Sequence, residues 1–546
     1  MPELWAIIGL VIGVLAITGL SSLTRAPAPI LLLAAGFGVS FIPGVPAYAL
    51  DPDVMLFLLI PPLLYAAAVE SGVVAIKRLL SPIVQLAFGM VIVTAAAVAL
   101  VVHLLLPSIP LGAALALGAI VAPPDAVSAI AVGRRVGLPR TVMTVLEGES
   151  LFNDATSLTL LRVALAAVGA GSIGWGPAVG LFAWSVVGGI AVGLAIGYLV
   201  SLARRLIGKP LTVTVLSLIT PFAAYLIGEE IHASGVLAVV TAGLLLGYRS
   251  PVDLPAKVRL TEQATWSALR FVVEGAVFAL IGLQLWDIVT ALDASAAHVV
   301  ATIVSVLAVV IVIRPLWVFA GALLARFRHP RSAERAKNLA AISWSGMRGV
   351  VSLAAAQTLP LDTPGRPVLL TCTVAVIVGT LVLQGLSLPW VVRRLGIGGD
   401  PSAEQESERN AARKEASRAI ARRIDEVAEE KGIPRRQVEM MHRWASMRDW
   451  RSWNDSESDQ TAGFRLRRLA VMQRWQSEIV AIERDVFVQL RNSGRLSEEV
   501  LRDLQQDLDL EEALLESRAA DRPDQEAHLE ELPEVEPLHH NPDQQR

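Results

Sequence analysis

The sequence predicts an all-α polytopic membrane protein of about thirteen transmembrane helices, followed by a helical tail outside the bilayer. Three observations carry this. Hydrophobic residues make up 53% of the 546 and charged residues only 18%, with a mean hydropathy of +0.54; a soluble chain of this length carries more charge. Apolar runs of about 20 residues, the length that crosses a bilayer, recur as far as residue 395. Charge is also segregated, residues 401–546 carrying net −9 and residues 1–400 net +6. The expected division is a transmembrane domain over 1–395, a cytoplasmic helical regulatory tail over 396–520, and an acidic, proline-bearing C-terminus over 521–546 whose composition favours disorder.

The spans fall at roughly 4–23, 28–42, 53–69, 82–106, 111–133, 141–169, 177–203, 211–229, 233–248, 266–286, 297–324, 336–357 and 367–392. The first lacks a basic leader and a small-residue cleavage site, so it reads as a span and not a signal peptide. Arg25, Lys77-Arg78, Arg134-Arg135-Arg140, Arg204-Arg205-Lys209, Arg249-Lys257-Arg259 and Arg326-Arg328-Arg331-Arg335-Lys337 occupy every second loop, and Arg366 is the clear basic residue in the others. Basic loops face the cytoplasm, which sets the N-terminus outside and the tail inside for an odd number of spans in an inner (plasma) membrane. The glycines Gly188, Gly189, Gly193 and Gly197 form small-xxx-small patterns and read as close helix packing. Two short apolar runs ending in glycine, near residues 26 and 236, hint at an internal repeat. Cys372 stands alone in an apolar run, so no disulfide framework exists and the thiol reads as packing.

In the tail, 402–431 reads as an exposed helix ended by Gly432 and Pro434. Amphipathic helices are expected over 435–453, 463–492 and 497–518, with Trp444, Trp450, Trp453, Trp475 and Phe487 for packing. His539-His540 read as tail composition and not as a metal site.

The chemistry concentrates in residues 118–162. One span carries Pro123-Pro124-Asp125 in its middle, and the next holds Glu147, Glu149, Ser150, Asn153, Asp154 and Ser157. An ionisable group at membrane depth costs about 2.5–3.5 kcal/mol on insertion scales, so it is read first as functional. Ser150, Asn153, Asp154 and Ser157 follow i, i+3, i+4, i+7 and share one helix face. Asp154 lies about 14 residues past Arg140, or about 21 Å into a core of about 30 Å. Pro123 and Pro124 remove two backbone donors and break the helix, freeing carbonyls around Ala119–Val121. Irregular backbone at this depth must line a cavity or be buried in protein. Carbonyls, a hydroxyl, an amide oxygen and carboxylates are the hard ligands a small alkali cation takes, so Na+ is placed at Asp154, Asp125 and Ser150, with Asn153 beside them. A carboxylate there can hold a proton or a cation but not both. Asn153 stands where a second carboxylate could have been, which favours electroneutral one-for-one exchange.

Arg348, between Gly346 and Gly349 in an apolar span, must be paired if buried. Glu149 is the expected partner, as a structural ion pair near the site. Arg162 reads as a second counter-charge. Glu147 reads equally as a mouth residue or an interfacial charge. Glu70 reads as an interfacial charge beside Lys77 and Arg78, and Glu229-Glu230-His232 as solvated loop charges. Glu274 either lines the ion path or pairs with Arg270.

ESLFNDA, GAIVAPPDAVSA, FLLIPPLLYAAA and SGMRG, in this chain at 149–155, 118–129, 57–68 and 345–349, together resemble the cation:proton antiporter-1 family, the sodium/proton exchangers of bacteria and animals. The resemblance covers about residues 5–395. It implies a thirteen-helix inverted-repeat fold, a homodimer, and elevator-like movement of a core domain. It implies that Asp154 binds ion and proton with Asn153, Ser150 and Asp125 around it, and that Glu149 pairs with Arg348. The chain departs from the family twice. Pro124 stands where prokaryotic relatives often carry Thr, and Ala66-Ala67-Ala68 where animal exchangers carry an acidic residue. Both bear on cation selectivity.

The expected activity is therefore an electroneutral Na+/H+ antiporter serving pH and sodium homeostasis, a secondary transporter and not an enzyme. K+/H+ exchange on the same fold is the alternative, and a membrane sensor signalling through its tail is the rival of another class. A channel fits less well, because a carboxylate that must release its proton argues for stoichiometric exchange. No phosphate-binding glycine loop, metal motif or redox motif is present, so no cofactor is expected beyond the transported ions. Nothing points to nucleic acid.

Overall fold

The computed structural model describes residues 2–24, 28–42, 52–170, 175–207, 209–290, 296–325, 333–398, 401–447 and 462–520. It divides into two compact units, Met1–Gln405 and Glu406–Arg546. Among the described residues all regular structure is helical.

The first unit opens with α1 (Pro2–Thr24), α2 (Ala28–Ser40), α3 (Pro52–Val69) and the short α4 (Val73–Arg78). The long α5 (Leu80–Leu105) follows. Then come α6 (Leu111–Val121), α7 (Ala126–Val136), α8 (Arg140–Ala170), α9 (Trp175–Ile207), α10 (Pro210–Glu230), α11 (Gly235–Asp253), α12 (Ala256–Thr290) and α13 (Ala296–Ala325). The series closes with α14 (Ala333–Trp344), α15 (Val350–Gln357) and α16 (Arg366–Leu395). Eight of these helices are long and apolar enough to cross a membrane, and shorter apolar helices accompany them. Each predicted span falls on helix, and two of the thirteen are interrupted. The break between α6 and α7 is at the predicted prolines. The break between α14 and α15, over residues 345–349, is new: the sequence reads 336–357 as one span.

These helices sort into two groups by the neighbours they pack against. One comprises α1, α2, α3 and α9 to α12; the other comprises α5 to α8 and α13 to α16. Small residues set the first group's spacing, as the glycine pattern predicts. A Cβ on Gly189 would lie 2.6 Å from Ser234 O, and one on Gly193 2.5 Å from Ala238 O, so α9 and α11 touch backbone to backbone. The second group carries two π-helical turns, Gln85–Met90 within α5 and Leu381–Gly385 within α16. The wider turn frees a carbonyl, and Trp317 Nε1 donates to Gln85 O at 3.2 Å. Cys372 is buried and free.

In the second unit, α17 (Pro401–Lys431) stops at Gly432, whose φ of +62° is the left-handed cap glycine allows. It is followed by α18 (Arg435–Met447), α19 (Ala462–Asn492) and α20 (Glu498–Ala520). Ala412 and Ala416 pack against Phe487, Leu501, Leu504 and Leu508. Arg409 and Arg413 share Asp507 at 2.6 and 3.2 Å, and Arg495 reaches Glu415 at 3.1 Å. Trp475 is half-buried. The side chain of Trp444, and Trp450, Trp453 and His539-His540, lie outside the described residues.

Candidate ion-binding site

The two interrupted helices meet, and their meeting is tied by backbone groups that the breaks leave free. Asp125 N–H, at the head of α7, donates to Met347 O at 2.6 Å. Arg348 turns back toward α6: its Nε donates to Val121 O at 3.0 Å and its Nη2 to Ala122 O at 3.2 Å, and its Nη1 donates to Gly346 O. Its own N–H donates to Thr380 Oγ1 of α16 at 3.1 Å. A guanidinium carries five donors in a fixed fork, so one buried Arg can cap several carbonyls at once. Gly349 is required here, because any Cβ would overlap the Asp125 carboxylate.

Helix α8 crosses beside this knot, and its polar stripe divides into two uses. Asn153 Nδ2 donates to Pro124 O at 2.9 Å and Ser157 Oγ to Ala119 O at 2.8 Å, so these two side chains stitch α8 to the broken helix. Ser150 and Asp154 turn instead to a cavity of about 80 Å³. From the second helix group the cavity is lined by Pro123, Pro124, Asp125, Ser150, Asp154, Gly349, Val351 and Ser352. From the first it is lined by Leu63, Leu64 and Ala67 of α3 and by Arg270, Glu274 and Phe278 of α12. The cavity therefore lies on the seam between the groups. Its volume accommodates a cation with several waters. Asn153 Oδ1 is buried and accepts no hydrogen bond within the protein.

The expected Glu149–Arg348 contact is corrected. Glu149 pairs with Arg314 of α13, Nη1 to Oε1 at 2.5 Å and Nη2 to Oε2 at 2.7 Å. Arg314 Nε also donates to Ile342 O at 3.0 Å. Both side chains are at most 1% exposed. The physical reason is that the second helix break, unforeseen from sequence, surrounds Arg348 with carbonyl acceptors. Arg314 was missed, although IVIRPLW places an arginine inside an apolar run, the same signal that singled out Arg348.

Other charges find partners across helices. Arg270 pairs with Glu70 at 3.0 Å, so Glu70 faces α12 and Glu274 is left on the cavity wall. Glu229, in the last turn of α10, pairs with Arg162 at 2.5 Å, which makes it a partnered group and not a solvated loop charge.

An all-helical membrane bundle with two interrupted helices crossing beside a cavity lined by carboxylates defines a membrane transporter. The chain belongs to the sodium/hydrogen exchanger family: residues 9–394 match the family described as sodium/hydrogen exchanger, transmembrane. It is a multi-pass cation/proton antiporter. An uncharacterized Na(+)/H(+) exchanger of Mycobacterium tuberculosis is 34% identical over 525 residues, covering 93% of this chain and 95% of that one. A Bacillus pumilus protein named as a sodium, potassium, lithium and rubidium/H(+) antiporter is 32% identical over 384 residues, 66% of this chain and 57% of its own. The solved sodium proton antiporter MjNhaP1 of Methanocaldococcus jannaschii shares the fold, with TM-score 0.58 and 20% identity over 73% of this chain and 100% of that one.

Proposed function

We propose that this chain exchanges one Na+ for one proton at Asp154, electroneutrally, as the second helix group slides against the first in an elevator-like alternation of access. The observation that carries the reading is the cavity on the seam, where Asp154, Asp125 and Ser150 face it from one group and α3 and α12 close it from the other. The carboxylate of Asp154 accepts either ion. A cation and a proton compete for one charge, so the site crosses occupied by one or the other and the gradients are coupled. Asp125, Ser150 and the free Oδ1 of Asn153 complete the oxygen set, and Glu149 with Arg314 holds α8 in place without touching the ion. Pro123 and Pro124 supply the break beside the cavity, whose nearby carbonyls Ser157, Asn153 and Arg348 cap.

K+/H+ exchange is the second reading. It is favoured by the absence of a hydroxyl at Pro124 and by the potassium and rubidium in the name of the Bacillus relative. The homodimer, the inner-membrane placement with the N-terminus outside, the cytoplasmic regulatory tail over 396–520 and the role in pH and sodium homeostasis belong to the same proposal.

The test is proton flux in proteoliposomes with Na+, Li+ and K+ added separately. Na+ dissipates an imposed pH gradient, the rate is independent of membrane voltage, and Asp154→Asn abolishes it. Flux in the Asp154→Asn protein overturns the assignment; voltage dependence overturns the one-for-one stoichiometry.

A further inference from the structure

A second cavity, of about 260 Å³, is lined by Thr159, Arg162, Leu181, Ser185, Glu229 and His232. It shares two properties with the first. It is lined from both helix groups, by α8 on one side and by α9, α10 and the α10–α11 turn on the other, so it lies on the same seam. It also starts from the same helix, Thr159 and Arg162 following Asp154 by five and eight residues, or about 7.5 and 12 Å along α8. On the orientation set by the basic loops, this is the outward direction. Both cavities thus border α8 on one seam, with Asp154 lining the first and Thr159 and Arg162 the second.

The second cavity is bridged by charge. Arg162 Nη2 donates to Glu229 Oε1 at 2.5 Å, and Nη1 donates to Ala233 O at 3.4 Å. Glu229 is itself fixed, accepting at the same oxygen from Gly235 N at 3.1 Å. The grip on Arg162 therefore comes from the whole turn that joins α10 to α11. That turn has a defined geometry: His232 adopts φ +57°, a left-handed conformation unusual outside glycine, and Ser234 Oγ accepts from Leu237 N at 3.2 Å to start α11. The other ion pairs of this unit named above stay inside one group, Glu149–Arg314 in the second and Glu70–Arg270 in the first. Arg162–Glu229 spans the seam.

We propose that the second cavity is the outer vestibule of the transport path, and that Arg162–Glu229 is the latch that holds it closed while Asp154 faces the other cavity. The inference rests on the alternating-access reading above. Sliding of the second group displaces Arg162 from the α10–α11 turn, parts the pair and opens the seam at Thr159, so the latch sets how often the outer path is visited. Both partners are about one-third exposed, at 37% and 29%, and water competes for them. The pair therefore biases the two states by a small factor, about threefold to fivefold, and does not lock either.

The test uses the full chain reconstituted in liposomes, with Cys372→Ala removing the one native thiol and Thr159→Cys supplying a reporter. The readout is the rate of modification by a membrane-impermeant methanethiosulfonate added outside. Glu229→Gln raises that rate about threefold to fivefold, and the charge swap Arg162→Glu with Glu229→Arg brings it back. An unchanged rate in Glu229→Gln overturns the latch, as does a swap that labels as fast as the single variant, because the pair then acts only as local packing. Arg162→Lys, which keeps the charge, labels slowly if the latch is ionic; fast labelling in a folded Arg162→Lys protein also overturns it. Asp154→Asn on the same background separates the two proposals. Flux in that protein sinks the transport reading whatever the latch does, and no flux with unaltered Glu229→Gln labelling sinks the latch alone.

Discussion

Removing Arg314 alone should damage the protein more than removing it together with Glu149. The pair is bidentate at 2.5 and 2.7 Å and at most 1% exposed. Arg314→Met strips the carboxylate of both its donors and leaves a charge in a medium that does not solvate it, at a cost of about 3–5 kcal/mol. Glu149→Leu leaves the guanidinium with Ile342 O at 3.0 Å and Met90 Sδ at 3.5 Å, which do not neutralise it, and costs a similar amount. The double variant removes both charges and fills their volume with apolar side chains, which is often neutral or better. It is expected to be more stable than either single variant, with a coupling at the upper end of the roughly 0.5–3 kcal/mol seen for interacting neighbours, or above it. Thermal melting of the detergent-solubilised protein, followed by size-exclusion recovery after heating, measures this cycle. Two results refute the reasoning: an Arg314→Met protein as stable as the parent, or a double variant that loses the sum of the singles. The parallel cycle of Glu149 with Arg348 should show the weaker coupling, since Arg348 is bonded to carbonyls. A coupling as large as that of Arg314 would restore the pairing expected from sequence.

Two further outcomes follow. Gly349→Ala overlaps the Asp125 carboxylate, so it should displace that group and abolish Na+-driven proton flux while the chain still inserts and elutes as the parent does; normal flux would show that Asp125 tolerates the shift. In the tail, burial pushes the Glu498 carboxyl above its ordinary range, outweighing the neighbouring Arg491 and Arg502. A carboxyl raised on folding contributes stability that is complete below its unfolded value of about 4.3 and is lost as pH rises through the folded value. Glu498→Gln should therefore slow proteolysis within α19 and α20 of the full chain at pH 7 and flatten its pH dependence; equal cleavage rates at pH 5 and pH 7 in the parent would refute this.

Much of this architecture is written in local pattern. Apolar run length placed helix at every predicted span, and Pro123-Pro124 located the first break because proline acts on its own backbone. The second break was invisible because residues 345–349 contain no proline. Gly346 and Gly349 permit an extended path there without compelling it, and what holds it open is Arg348 bonding to α6, some 225 residues away in sequence. Arg314 and Glu149 failed for a related reason. Two buried arginines competed for one glutamate, and only the three-dimensional placement of α13 decides between them. Glu274 remained open for want of knowing that Arg270 is occupied by Glu70.

The knot at the crossing also constrains how such a protein can move. Separating α6, α7, α8 and α15 would orphan the acceptors at Ala119, Val121, Ala122, Pro124 and Met347, at about 1–3 kcal/mol for each group left dry. Bending within the crossing is thus costlier than moving it as one piece. On the proposed alternation of access, the stitching beside Asp154 makes its surroundings a single part, so a substitution that cuts one stitch should slow transport before it changes the chemistry of the carboxylate.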